Sequence, residues 1–234
     1  MNKIKLILVG EGAVGKTSII SQFKDKQFKE EYLMTVGNDK VIKELVIENE
    51  KITLEIWDTP GQNEYNAVNK IFMKNSKISI IVYSIIDTNS FKKLDIWLEN
   101  VKKVNKNHEM IIGIAANKSD LFEKAQISKE EGENYAKDKD ILFFETSAKD
   151  YKSIEKLFIT LTKLYLEKNK KKKNSTSIQQ MDDKKSIELM NNEKINHIKK
   201  DDLKSNEEKK NENEAIISEI SLNEDDSSSK CSII

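Results

Sequence analysis

Gly10-Glu11-Gly12-Ala13-Val14-Gly15-Lys16-Thr17 follows a short apolar run, Ile4 to Val9, and opens an amphipathic stretch, Thr17–Lys24. The spacing G-x-x-x-x-G-K-[ST] between a strand and a helix is that of a phosphate-binding loop. Such a loop offers backbone N–H groups, a helix N-terminus and an ammonium group, here Lys16, to a polyphosphate. The Thr17 hydroxyl suits Mg²⁺. The chain has seven glycines, and Gly10, Gly12 and Gly15 stand in this loop. Gly37 and Gly61 fall in two further segments assigned to the phosphates, and Pro60, the single proline, precedes Gly61.

Working outward, Ile4–Val9 has the continuous apolar character of a buried strand. Val41–Ile47 and Ile52–Trp57 read as a hairpin around Glu48-Asn49-Glu50. Residues 25–40 read as a loop, and residues 59–75 as a loop and a short helix. Ile78–Ile86, Ile111–Ala116 and Ile141–Phe144 are further strands. Ser90–Val104 has helical spacing of Phe91, Leu94, Trp97, Leu98 and Val101 behind an Asn89 or Ser90 cap. Ser128 with Glu131 forms a capping-box pattern. Ser153–Leu166 carries a helical stripe of Ile154, Leu157, Phe158, Leu161 and Leu164. Six strands alternating with helices predict an α/β fold: a mixed, mostly parallel six-stranded sheet covered on both faces. Ligands of such sheets bind at the carboxyl ends of the strands.

Two more motifs fall at such ends. In Trp57-Asp58-Thr59-Pro60-Gly61-Gln62, Asp58 suits the Mg²⁺ shell. Gly61 can bring a backbone N–H to a γ-phosphate, and Gln62 can orient an attacking water. In Asn117-Lys118-Ser119-Asp120, a carboxylate facing two adjacent N–H donors suits guanine and not adenine, because the wrong base leaves it unpaired. Asn117 can bond N7, the Lys118 stem can lie over the base, and Ser147-Ala148-Lys149 can place a backbone N–H on guanine O6.

Together these motifs, over residues 3–168, resemble the small GTPases of the Ras superfamily and most of all the Rab proteins. Leu54-Glu55-Ile56-Trp57-Asp58-Thr59, Phe72-Met73-Lys74-Asn75-Ser76 and Phe143-Phe144-Glu145-Thr146-Ser147-Ala148-Lys149 carry the Rab likeness. The resemblance implies a P-loop small G domain that binds GTP, GDP and Mg²⁺ and hydrolyses GTP. Gly12, Ala13, Val14, Gly15, Lys16, Thr17 and Ser18 would hold the phosphates, with Gln62 and Lys16 catalytic. Thr35 would join Thr17 and Asp58 at the metal, Phe28 would pack against the guanine, and Tyr32 would close over the phosphates. A GTPase-activating protein, an exchange factor, and effectors at about 32–40 and 60–76 are the implied partners, with the chain itself a monomer. Three residues depart from the family pattern: Pro60 in place of Ala, Lys40 in place of a bulky aromatic, and Asn63 in place of Glu. Proline fixes φ and removes an N–H, so the segment after it should be stiffer.

Composition bounds the rest. The 234 residues carry 40 basic and 40 acidic side chains, so no broad nucleic-acid-binding character is implied. Every basic residue is Lys, which gives point charges where Arg would give a planar fork. One cysteine excludes an intramolecular disulfide. No apolar stretch approaches the ~18 residues that would span a bilayer, and the glycines break the first apolar run before it could act as a signal peptide.

The expected organisation is a G domain at 1–168 and a polar, disordered tail at 169–234. Cys231-Ser232-Ile233-Ile234 matches C-a-a-X, which predicts prenylation at Cys231, with geranylgeranyl favoured by the bulky final Ile. That implies a prenyltransferase, a lipid-extracting chaperone and a membrane surface as partners. A single lipid chain anchors weakly. The Lys170–Lys173 run could meet anionic lipid but lies far from the cysteine, so attachment to endomembranes should exchange with the cytosol. His108 and His197 read as surface residues.

The leading expectation is a switch in vesicle traffic. The competing readings are a nucleotide-binding tether with little hydrolysis, a Ras- or Rho-type signalling switch, and an ATP-dependent kinase, which Asp120 disfavours.

Overall fold

A computed structural model describes residues 2–29, 35, 39–60, 71–105 and 110–172. Its strands are β1 (Asn2–Val9), β2 (Lys40–Ile47), β3 (Glu50–Trp57), β4 (Ile78–Ser84), β5 (Ile111–Asn117) and β6 (Leu142–Glu145). The helices are α1 (Lys16–Asp25), α2 (Thr88–Lys92), α3 (Leu94–Val104), α4 (Lys129–Asp138) and α5 (151–172). Ser119–Lys124 is a 3-10 helix that the sequence pattern did not announce.

The strands form one sheet in the order β2-β3-β1-β4-β5-β6. The β2–β3 pair is antiparallel and the others are parallel. This is the mixed, mostly parallel six-stranded sheet expected. Alternation along β1 sends Ile4, Leu6 and Leu8 into one apolar cluster and Ile7 and Val9 into another. The first cluster receives Phe23 of α1 and Phe158 of α5, whose rings stack at 4.0 Å. The second receives Trp97, Leu98 and Val101 of α3. Helices therefore cover both faces and leave the strand ends to carry the loops.

The structure shifts several boundaries, each for a local reason. The hairpin turn is shorter than expected: Glu48 and Asn49 both take left-handed φ values, 50° and 63°, and β3 starts at Glu50. Two such residues match the twist of antiparallel strands. The helix expected from Ser90 starts at Thr88, because Asp87 and not Asn89 or Ser90 caps it, accepting from Asn89 N–H at 3.0 Å. Ser90 instead accepts the Ser84 N–H at 3.0 Å, which ends β4 at Ser84 short of Ile86. Strand β6 starts at Leu142, since the Ile141 N–H closes α4 on the Ala136 carbonyl. Asp150 accepts the N–H groups of Lys152 and Ser153, so α5 opens at 151. It runs on to 172, past Leu166, and Lys170 reaches Glu48 and Glu50 at 3.3 and 2.9 Å. The Ser128–Glu131 capping box forms as expected. No described helix is long and apolar enough to cross a membrane.

Candidate nucleotide site

The loop between β1 and α1 is set by main-chain geometry. Gly10 has φ +141° and Gly15 φ +100°, a region that L side chains rarely adopt. A Cβ on Gly10 would run into the Val82 carbonyl, and one on Gly15 into the Asn117 amide. Ala13, with φ 61°, is also left-handed. Val14 is buried, while Gly12, Ala13 and Ser18 face the outside more. Lys16 folds back over the loop, its ammonium donating to the Gly10 and Glu11 carbonyls at 2.7 Å each. Burial pushes that ammonium down to about 8, against the pull of Asp58 and Glu11. An anion in the loop would raise it again.

Three segments meet at Thr17. Its hydroxyl donates to Asp58 Oδ2 at 2.6 Å and lies 2.8 Å from the Thr35 hydroxyl. Asp58 is held by its N–H on the Asp39 carbonyl and by its neighbour Thr59, whose hydroxyl donates to the Leu8 carbonyl. Burial raises the Asp58 carboxyl, opposed first by the Thr17 hydrogen bond and then by Lys16. Asp58 Oδ1 is buried with no partner among the described residues. Two hydroxyls and an under-coordinated carboxylate form an all-oxygen donor set, which fits a hard divalent cation such as Mg²⁺.

The second cluster stands at the ends of β5 and β6. Asn117 is buried; its Nδ2 donates to the Val14 carbonyl at 2.8 Å, and its Oδ1 has no described partner. Lys118 is left-handed at φ 65°, and burial lowers its ammonium against the opposing pull of Asp87 and Asp120. Asp120 Oδ1 accepts from Ser147 Oγ at 2.6 Å, and Lys149 Nζ is 3.8 Å from Oδ2. The Ser147 N–H donates to Ser153 Oγ and the Lys149 N–H to Ser147 Oγ. Of the three backbone donors in Ser147-Ala148-Lys149, only the one on Ala148 is not taken by these bonds. Lys149 Nζ also lies 5.2 Å from the centre of the half-exposed Phe28 ring.

The structure therefore brings together Lys16, Thr17, Thr35 and Asp58 in one group. It brings Phe28, Asn117, Lys118, Asp120, Ser147, Ala148 and Lys149 together in an adjoining one. Tyr32, Gly37, Gly61, Gln62, Asn63, His108, His197 and Cys231 lie outside the described residues. Lys40 stands over the Trp57 ring at 5.8 Å and 3.8 Å from Glu55, with Phe72 5.2 Å from Trp57 on another side. Sequence reasoning missed Ser153, which orients Ser147, and the partners of Glu11. Neither had a signal in the motifs, because both contacts are made by side chains outside them.

A family model described as the Ras family matches residues 5–167. The chain is 37% identical over 163 residues to the Ras-related protein RabQ of Dictyostelium discoideum, covering 70% of this chain and 79% of that protein.

Proposed function

The chain belongs to the Ras family of small GTPases and is Rab-like; from that premise we propose that it is a GTP-hydrolysing switch attached reversibly to endomembranes and acting in vesicle traffic. The observation that carries the switch reading is the meeting at Thr17 of Asp58 and Thr35, which come from separate segments. In the GTP state the γ-phosphate and Mg²⁺ would hold these segments together, and hydrolysis would release them.

In this reading Gly12 to Ser18 cradle the phosphates and Lys16 stabilises charge that develops on them. Thr17, Thr35 and Asp58 would hold Mg²⁺, which would screen the phosphate charge. Gln62 orients the attacking water and Gly61 contacts the γ-phosphate; Tyr32 closes the site. Asp120 accepts from the guanine, Asn117 meets N7, the Ala148 N–H meets O6, and Phe28 and Lys118 flank the base. With no arginine in the chain to act in cis, hydrolysis is slow alone, and an activating protein's arginine would speed it by about 10³–10⁵-fold.

Effectors would read the segments around 32–40 and 60–76. Lys40 over Trp57 replaces an aromatic contact with a charged one, so effectors suited to an aromatic there should bind poorly. The tail that follows α5 would carry a prenyl group on Cys231. Membrane fractionation tests this part: a Cys231→Ser chain should move to the soluble fraction, and one that still pellets with membranes would remove the lipid reading. The guanine-nucleotide reading is tested by binding. Tight GTP and GDP binding with weak ATP binding supports it, and equal ATP binding overturns it.

A further inference from the structure

Glu11 places a carboxylate inside a loop whose task is to attract anions, an arrangement that by itself weakens the loop's field. The side chain is only 13% exposed, and two donors meet it: Lys93 Nζ at 2.9 Å and Trp97 Nε1 at 3.2 Å. Lys93 stands at the junction of α2 and α3, and Trp97 is one turn further on. The Trp97 main-chain N–H donates to the Lys93 carbonyl at 3.2 Å, so the N-cap and first turn of α3 offer both groups to one carboxylate.

The main chain of the same residue faces the other way. The Glu11 carbonyl, with that of Gly10, holds the Lys16 ammonium at 2.7 Å. Glycines flank Glu11 on both sides, and a Gly-Glu-Gly segment has little conformational preference of its own. The segment therefore takes its position from whatever anchors Glu11.

We propose that Glu11 is a positioning residue: anchored by its carboxylate on Lys93, the N-cap of α3, and on Trp97 within that helix, it fixes the loop main chain that holds Lys16 in place for the nucleotide phosphates. Lys93 also cancels the charge of the carboxylate, so the loop keeps its preference for anions. The inference rests on the nucleotide reading of the loop, and it adds α3 to the parts that govern how long a nucleotide stays bound.

The test uses the full chain loaded with fluorescent GDP and chased with unlabelled GDP. Glu11→Ala and Lys93→Met should each speed release by on the order of tenfold. The double variant should release no faster than the faster single, because both changes break one link. Glu11→Gln should fall between wild type and Glu11→Ala, since the amide can still accept from Trp97 but cannot pair with Lys93. Release within about twofold of wild type in both singles, or single effects that multiply in the double, would overturn the proposal. A role in folding alone would lower the thermal unfolding midpoint and leave release from the folded protein unchanged, which also overturns it. If Glu11→Ala does not fold, Glu11→Gln and Trp97→Phe decide by the same criterion. A wild-type chain that fails to retain GDP would overturn the nucleotide reading itself, whereas retention with unaffected variants removes only this inference.

Discussion

Asn117 Nδ2 donates to the Val14 carbonyl at 2.8 Å, so the end of β5 and the phosphate loop are fixed to each other across 103 residues of chain. The contact is buried and excludes any side chain at Gly15. A residue expected to read the base thus also shapes the loop for the phosphates.

Asn117→Ala should therefore damage more than base recognition. It strands the Val14 carbonyl in a buried site, which costs about 1–3 kcal/mol. Denaturant unfolding of the nucleotide-free protein should show that loss, and an unchanged midpoint would mean that the contact is replaceable.

Gly15→Ala should bind nucleotide at least about 100-fold more weakly, because the substitution combines a left-handed φ with a collision at Asn117. Equilibrium titration with fluorescent GDP measures this directly. Binding within tenfold of wild type would show that the loop can rearrange.

Nucleotide affinity should depend on pH through Lys16. In the free protein burial pushes its ammonium down to about 8. Bound phosphates raise it again, so binding above that pH requires uptake of one proton. Affinity should be level below about pH 7, where the lysine is already charged, and begin to fall as the pH approaches 8. It should fall by up to about tenfold per pH unit above 8. Lys16→Met should bind weakly at every pH and show no such fall.

Asp120→Ala should reduce the preference for GTP over ATP by on the order of 10²-fold or more, since the carboxylate acceptor for the guanine N–H donors is gone. Competition binding reads it. The Ser147 hydroxyl also loses its 2.6 Å acceptor, so a small loss of stability accompanies the change.

The phosphate loop, the capping box at Ser128 and the mixed, mostly parallel sheet could be expected from the sequence because each rests on local spacing or on a repeating apolar pattern. The N-terminus of α2 could not: Asp87, Asn89 and Ser90 are all good caps, and the choice is made by Asp87 accepting the Asn89 N–H while Ser90 is taken by Ser84. The reach of α5 to 172 was equally hidden. Its last turns lose the apolar stripe, and Lys170 instead meets carboxylates of the β2–β3 turn. In the site, motif spacing pointed to Lys16, Thr17, Asp58, Asn117 and Asp120. The partners of Glu11 were invisible, because Lys93 and Trp97 lie 82 and 86 residues away and belong to no motif.

Single-turnover release of phosphate from γ-labelled GTP bound to the full chain tests the central claim most directly, with Gln62→Leu measured beside it. The switch account predicts slow release in the wild type and almost none in the variant, both holding GTP equally well. Stable GTP binding with no release from the wild type would contradict it, and would leave a nucleotide-dependent tether in which Pro60 stiffens the segment that carries Gln62.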